Sequence, residues 1–309
     1  MFRKIIGIMV VLLPVLSPVP GAAYSWPVKP FDSQHPIFAT IGEYRTPTRV
    51  HAGVDIGEGA GAQVYSVTDG TVINVNSNIN GSVRIRTDSG TEYEYVHITP
   101  SIVINSTVTV GVTVLGEIAD IDAPHLHFTE NKGGSNPLRD GGLTPYVDKS
   151  SPTIVSVDFW KQGTEEQLTG SLYGHIDLRV NTFDPRTSVT GDSAGGNCGI
   201  YKITIEFWQG GNLIGDKIEY HIYNKIPPSP VSLVYATGST QSIFLYWATN
   251  DPFNVPYDKY WNSNQRTGSD YTVNALIPSQ ALYPEGSMLI RVIAEDIRGN
   301  KAIHDIGQQ

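Results

Sequence analysis

Short segments of alternating apolar and polar residues fill the chain between residues 60 and 100. Strands are predicted at residues 64–67, 70–75, 82–86 and 91–96. Turn-forming pairs separate these segments, namely Asp69-Gly70, Asn80-Gly81 and Ser89-Gly90. A period of two residues with such turns predicts a sheet of short hairpins. Charged side chains on one face predict solvated cross-strand ion pairs, and these are Arg84, Arg86, Glu92 and Glu94.

Longer segments with the same period lie in the second half of the chain. They cover residues 153–160, 175–180, 200–208 and 288–296. This pattern predicts a β-sandwich, and the turn at 296–300 resembles the end of immunoglobulin-like or fibronectin-type modules. The fold class is therefore predicted as all-β, with an antiparallel sheet domain followed by an immunoglobulin-like sandwich.

Domain boundaries follow from composition. The stretch 136–152 is rich in proline, glycine and polar residues, which indicates a boundary between domains at 24–149 and 150–309. The stretch 228–285 is longer than ordinary sandwich connections, and we interpret it as an insertion or part of a second small module.

The first 23 residues are predicted to be a secretory signal peptide. A basic start at 1–4 precedes an apolar run at 5–16 and small residues at 21–23. The run is too short to span a bilayer comfortably, and no later stretch is apolar for the roughly 18 residues of a transmembrane helix. We therefore expect a secreted protein, periplasmic or extracellular, that begins near Tyr24 and has no transmembrane segment.

Composition limits the classes of binding partner and the ways in which the fold can be stabilised. The net charge of −9 and the lack of basic clusters argue against nucleic acid. The single cysteine, Cys198, cannot form an intrachain disulfide, so hydrophobic cores must stabilise the fold. Without a nearby partner residue, Cys198 is not interpreted as a nucleophile.

Two histidine motifs suggest a metal site. In the segment 124–128, His125 and His127 flank one leucine, so on a strand they share a face while Leu126 and Phe128 point into the core.

The second motif pairs His51 with Asp55. Their spacing of four places both on one side of a strand, and the intervening Gly53 weakens a helical interpretation. Each motif alone is short enough to arise by chance. Together they offer three nitrogen and oxygen ligands and leave one tetrahedral position open, which is typical of a catalytic zinc site.

Five motifs in order resemble the lysostaphin-like zinc metallopeptidases of the M23 family. They lie at 41–45, 51–56, 67–72, 95–97 and 124–128, and the resemblance covers about residues 36–147. It implies a Zn²⁺ ion held by His51, Asp55 and His127. It also implies that His97 and His125 flank the metal-bound water, one taking its proton and the other stabilising the oxyanion.

The sequence departs from the family between Gly116 and His125. There the family often has a longer loop rich in glycine and threonine, whereas this chain has a short acidic segment with Asp120 and Asp122. The ligand set stays complete, but the choice of substrate is open. Tyr44 is interpreted as a packing residue rather than an oxyanion ligand.

The resemblance implies a secreted zinc metalloendopeptidase that cleaves peptide cross-bridges of bacterial peptidoglycan. The C-terminal sandwich would position the enzyme or bind the wall or a protein partner. Two alternatives remain: a non-catalytic wall-binding or activator protein that retains the fold, and a secreted protease of a non-wall protein. The complete ligand set argues against the first alternative.

Overall fold

The described part of the chain folds almost entirely into strands and loops. The computed structural model describes residues 23–78, 80–172, 176–214, 217–220, 223–227, 230–249 and 286–308. Nearly all of the predicted signal peptide and most of the predicted insertion lie outside these residues. The regular elements that the structure describes are strands and two short 3₁₀ helices, so the predicted all-β class is confirmed. No helix among them has the length and apolarity to cross a membrane.

The described residues of the first half form eleven strands and the 3₁₀ helix Asn131–Gly133. The strands are β1 Ile37–Ala39, β2 Tyr44–Thr46, β3 Arg49–Val50, β4 Val54–Ile56, β5 Gln63–Tyr65, β6 Gly70–Asn76, β7 Gly81–Arg86, β8 Glu92–Pro100, β9 Thr107–Val108, β10 Val114–Ile118 and β11 Leu126–Glu130.

The second half contains the 3₁₀ helix Val231–Leu233 and ten described strands. These are β12 Thr153–Lys161, β13 Gln167–Leu168, β14 Ile176–Thr187, β15 Ser193–Cys198, β16 Lys202–Gln209, β17 Asn212–Leu213, β18 Ile218–Tyr220, β19 Leu245–Thr249, β20 Met288–Glu295 and β21 Lys301–Gln308.

An antiparallel sheet of hairpins organises the first half, as the alternation predicted. Its order is β1-β4-β11-β8-β7-β6-β9, and β10 pairs with both β5 and β8. The cross-strand ion pairs predicted on β7 and β8 are present, at 2.9 Å between Arg84 and Glu94 and 2.6 Å between Arg86 and Glu92.

The core of this sheet lies beneath the strand that carries the predicted H-x-H motif. Leu126 and Phe128 are fully buried, as predicted, and they leave the other face of β11 to histidine. Trp26 is also buried in this core, and its ring nitrogen donates a hydrogen bond to Pro145 O at 2.8 Å. The segment that follows the predicted signal peptide is therefore part of the folded domain.

Two sheets enclose a second core in the other half. One contains β12, β13, β14 and β19, and the other contains β16, β17, β18, β20 and β21. Both sheets contribute buried side chains to a single cluster, among them Leu178, Val180, Ile203, Ile205, Phe207, Val292 and Ala294. This is the arrangement of a β-sandwich. The similarity to immunoglobulin-like modules stays a prediction. The segment 245–249, predicted within the insertion, is instead a strand of the first of these sheets.

The two halves are joined by a shared strand pair. Residue Ile37 of β1 pairs with Thr187 of β14, so the first sheet continues into the sandwich. Further contacts cross the same junction, where Tyr235 Oη donates to Gly42 O at 2.7 Å and Asn136 N donates to Asn224 O at 2.7 Å. The predicted boundary near residue 149 stays a prediction, and the described halves are held together by backbone as well as side chains.

Candidate metal centre

Three side chains far apart in sequence converge above the first sheet. Asp55 lies on β4 directly opposite His127 on β11, and His51 comes from the connection before β4. The distances are 2.9 Å from Asp55 Oδ1 to His51 Nε2, 2.9 Å from Asp55 Oδ1 to His127 Nδ1, and 2.8 Å between the two nitrogens. We call these three residues the histidine centre.

The local structure around His51 differs from the expectation. The prediction placed His51 and Asp55 on one strand, but β3 ends at Val50 and β4 begins at Val54. His51 therefore reaches the centre from a loop, and the same-face argument does not apply to it. Gly53 allows this close path, because a Cβ there would lie 2.2 Å from Phe128 O.

Neighbouring groups orient both imidazoles. His51 Nδ1 lies 2.7 Å from Thr40 O, which can only accept, so Nδ1 carries the proton and Nε2 presents a lone pair. His127 Nε2 lies 3.0 Å from Thr129 Oγ1, and that hydroxyl accepts from Nε2 when Nδ1 is free. Such outer partners commonly fix the tautomer of a metal-binding histidine.

The donor atoms fit a divalent zinc-like cation. Lone pairs that face one another at 2.8–2.9 Å repel unless a positive charge lies between them. A single point about 2.0–2.2 Å from each donor, the usual zinc bond length, exists for a triangle of this size. Two imidazole nitrogens and one carboxylate oxygen are also donors that zinc accepts.

The charge states suit cation binding. Burial lowers the pKa of His51, so its ring is neutral at neutral pH. Burial opposes ionisation of Asp55, but the adjacent His51 and His127 hold the pKa of its carboxyl well below the usual range. A metal requires these forms, neutral imidazole and ionised carboxylate.

A buried ion-pair chain holds the carboxylate of the centre. Arg45 Nη2 donates to Asp55 Oδ2 at 3.0 Å, and Arg45 Nη1 lies 3.3 Å from Glu43 Oε2. Glu43 is 1% exposed, and its Oε1 accepts from the backbone N–H groups of Thr40 at 2.5 Å and Gly199 at 2.9 Å. Asp55 Oδ2 is thereby occupied, which leaves Oδ1 to face the two imidazoles.

His97 reaches the centre from an irregular point of β8. The pairing of β7 with β8 shifts there, and His97 has a positive φ of 64°. Such bulges redirect a side chain relative to its strand. His97 Nδ1 donates a hydrogen bond to Asn80 Oδ1 at 2.8 Å, so Nε2 is the nitrogen without a proton. Burial, helped by His125 and His127, lowers the pKa of His97 to about 4, and the ring is neutral at neutral pH.

His125 lies directly before the first residue of β11, beside His97. Its Nδ1 donates to Ala123 O at 2.8 Å, and its Nε2 lies 3.6 Å from Asp55 Oδ1. The ring centroids of His97 and His125 are 4.7 Å apart. The structure thus brings all five predicted site residues together around the histidine centre.

Other residues considered from the sequence have different surroundings. The ring of Tyr44 packs 5.5 Å from that of Tyr235, toward the second core. Asp120 and Asp122 are exposed on the short segment beside His97, where Ala119 N donates to His97 O. Cys198 is a buried free thiol.

Several residues that support the centre have no sequence signal of that role. Thr40, Asn80 and Thr129 are ordinary polar residues whose partners are set by the fold. Glu43 and Arg45 belong to the first family-like motif, but that motif alone does not show that they pair with Asp55. The only sequence signal for their role is that Arg45 lies close to His51 along the chain.

Comparison with known proteins agrees with the motif analysis. Residues 49–138 match the sequence model of peptidase family M23, so the predicted resemblance is confirmed. The matched segment is less than a third of the chain. No curated protein sequence matches.

Solved structures similar to the chain include M23-type and lysostaphin-like peptidases. A zinc-containing peptidase from Vibrio cholerae is 24% identical, with 36% of this chain and 37% of that chain covered and a TM-score of 0.31. The catalytic domain of lysostaphin from Staphylococcus simulans is 20% identical, with 31% and 79% covered and a TM-score of 0.28. A peptidase M23 from Pseudomonas aeruginosa is 20% identical, with 35% and 50% covered and a TM-score of 0.25. The chain spans little more than a third of the Vibrio cholerae protein.

Proposed function

We propose that this protein is a secreted zinc metalloendopeptidase that hydrolyses peptide cross-bridges of bacterial peptidoglycan. The observation that carries the proposal is the convergence of His51, Asp55 and His127 within 2.9 Å of one another, inside a segment that matches the M23 family. Two further histidines, His97 and His125, lie beside these donors.

In this proposal His51 Nε2, Asp55 Oδ1 and His127 Nδ1 hold the zinc ion. When bound, zinc supplies Lewis-acid activation of water and of the scissile carbonyl near neutral pH. Arg45 keeps Asp55 oriented through the second carboxylate oxygen. Thr40 keeps His51 in the tautomer that presents Nε2.

His97 fits the role of proton carrier. Its neutral ring has Nδ1 bound to Asn80, so Nε2 can accept a proton from the attacking water and return it to the leaving amine. The low pKa favours the neutral form before attack.

His125 fits the role of hydrogen-bond donor to the developing oxyanion. Nδ1 donates to Ala123 O, which turns Nε2 toward the centre, 3.6 Å from Asp55 Oδ1. Donors placed in advance where negative charge develops commonly contribute several kcal/mol to transition-state stabilisation.

The substrate and the location of the protein rest on the family match and the sequence. The predicted signal peptide directs the chain out of the cytoplasm. Outside it, the segment that matches the M23 family meets the peptides of the cell wall. Asp120 and Asp122 are exposed on the segment that follows Ala119, whose N–H donates to His97 O, and their carboxylates would favour a substrate with an amine near the scissile bond. The sandwich is proposed to position the enzyme on the wall or on a partner.

The test is digestion of purified sacculi by the purified mature protein. Zinc-loaded wild type is expected to release soluble peptide, and a chelator or the His127→Ala variant is expected to abolish release. His125→Ala serves as a matched variant that keeps zinc but loses most turnover. Zinc binding without any release from sacculi would overturn the wall substrate, and cleavage of protein substrates instead would favour a non-wall protease.

A further inference from the structure

A second group of acidic side chains is buried at the junction of the two halves. Asp148, Asp184 and Asp296 are 7%, 5% and 3% exposed, and one carboxylate oxygen of each lies within 4.8 Å of the others. We call these residues the carboxylate cluster. Asp148 lies in the boundary stretch 136–152, which we call the linker; Asp184 lies on β14, and Asp296 lies in the turn between β20 and β21.

Two of the three carboxylates have hydrogen-bond donors. Asp148 Oδ2 accepts from the Thr187 hydroxyl at 2.8 Å, and its Oδ1 accepts from Ser150 N at 3.0 Å. Asp296 Oδ1 accepts from Asn300 N at 2.9 Å, and its Oδ2 accepts from the Asn300 side-chain amide at 2.6 Å. These bonds orient both carboxylates.

Asp184 differs from its two neighbours. Its Oδ1 is buried and has no hydrogen-bond partner within the described residues. Burial, together with the negative charges of Asp148, Asp296 and Glu43, raises its pKa to about 9. Arg298 is not among the charges that act on Asp184, and its Nη1 donates to the exposed Asp140 at 2.6 Å. A buried, unpaired carboxylate is costly, and either a proton or a cation must neutralise it.

We propose that Asp148, Asp184 and Asp296 bind a calcium ion that fastens the junction between the two halves. Calcium takes six to eight oxygen ligands at about 2.3–2.6 Å, so two oxygens on one ion lie up to roughly 5 Å apart. The three carboxylate oxygens of the cluster lie within 4.8 Å of one another, close enough for one calcium ion to bind all of them. A set of oxygen donors without nitrogen or sulfur favours calcium or magnesium over zinc.

The position of the site gives the ion a structural effect. Asn300 Nδ2 donates to Asp148 O at 2.9 Å as well as to Asp296, so the linker and the last turn already touch. Asp184 belongs to the strand that pairs with β1 of the first half. An ion held by all three carboxylates therefore joins the linker, both sheets of the sandwich and, through β14, the first sheet.

The test is calcium-dependent stability of the full mature protein, stripped of metal and then loaded with zinc. Calcium is expected to raise the melting temperature by about 5–10 °C at roughly a hundredfold excess over its Kd. The Asp184→Asn variant, which keeps the shape but not the charge, is expected to lose this rise. Asp88→Asn, a change in an exposed turn, and His127→Ala are controls that keep it.

Each outcome decides the proposal. The absence of a calcium effect on wild type, or an equal effect on Asp184→Asn, would overturn the site and leave a shared proton as the neutralising charge. A magnesium response as large as that of calcium would overturn the choice of ion. If Asp184→Asn does not fold, terbium luminescence of the wild-type protein decides. Loss of the emission on addition of calcium, and weaker emission from Tyr146→Phe, would support the site. Tyr146 is the expected sensitiser because its Oη lies 3.3 Å from Asp148 Oδ2. Terbium emission that calcium does not displace overturns it.

Discussion

The histidine centre and the carboxylate cluster both gather three side chains from distant parts of the chain, but they differ in donor chemistry. The histidine centre combines two nitrogens with one oxygen and is flanked by two further histidines. The carboxylate cluster offers oxygen alone and is enclosed by the linker and the sandwich. Mixed donors beside free histidines suit chemistry on a substrate, whereas enclosed carboxylates suit a permanent structural ion.

Charge balance also separates the two groups. Arg45 lies against Asp55 and partly neutralises the histidine centre before any metal binds. The carboxylate cluster has three acids and, at Asp184, a buried oxygen without a donor in the described residues. The lesson is that the polar and charged partners of a group show how much of its charge the protein already balances before an ion binds.

The largest expected effect separates the two groups by removing one ligand. His127→Ala is expected to lose stoichiometric zinc and to lower turnover by about a thousandfold or more, because Lewis-acid stabilisation of several kcal/mol disappears. Elemental analysis and release of peptide from sacculi measure these effects. The calcium-dependent rise in melting temperature should persist, and its loss would show that the groups are not independent.

The next effect distinguishes metal binding from proton transfer. His97→Ala is expected to keep zinc but to lower turnover about 10²- to 10⁴-fold, as for loss of a general base. Zinc content and the rate with a defined peptide substrate measure the two properties. Loss of zinc in this variant would place His97 among the ligands instead.

A smaller effect tests the buried ion-pair chain. Arg45→Gln frees Asp55 Oδ2 and is expected to weaken zinc binding about 10- to 100-fold, the usual cost of removing an outer partner of a ligand. Zinc affinity can be measured by competition with a chromogenic chelator. The exposed Arg49 on the adjacent strand provides the control, and Arg49→Gln should bind zinc as wild type does. Equal affinities in both variants would contradict a positioning role for Arg45.

The smallest effect concerns the contact between the halves. Tyr235→Phe removes the buried hydroxyl that donates to Gly42 O at 2.7 Å. A loss of about 1 kcal/mol in the free energy of unfolding is expected, with zinc affinity unchanged. Denaturant unfolding measures it, and a large fall in zinc affinity would indicate that the sandwich shapes the histidine centre directly.

The fold was predictable where local alternation defines two faces. The burial of Leu126 and Phe128 and the pairing of Arg84 with Glu94 follow from a period of two residues. The position of His51 did not follow, because a loop rather than a strand carries it. Periodicity describes only residues that continue a regular element.

The donor set of the histidine centre was predictable because its motifs are short and match a family. The partners of those donors were not. Glu43 accepts from Gly199, a residue 156 positions away, and no local pattern connects them. The sequence gives no signal for Asp184 either. That its Oδ1 has no hydrogen-bond donor becomes visible only when the strands around it are assembled.

The central claim is that His51, Asp55 and His127 hold one zinc ion, and anomalous X-ray diffraction at the zinc absorption edge tests it most directly. The predicted result is a single strong peak about 2.0–2.2 Å from His51 Nε2, Asp55 Oδ1 and His127 Nδ1. A zinc-loaded crystal with no peak there, or with zinc bound only elsewhere, would contradict the account.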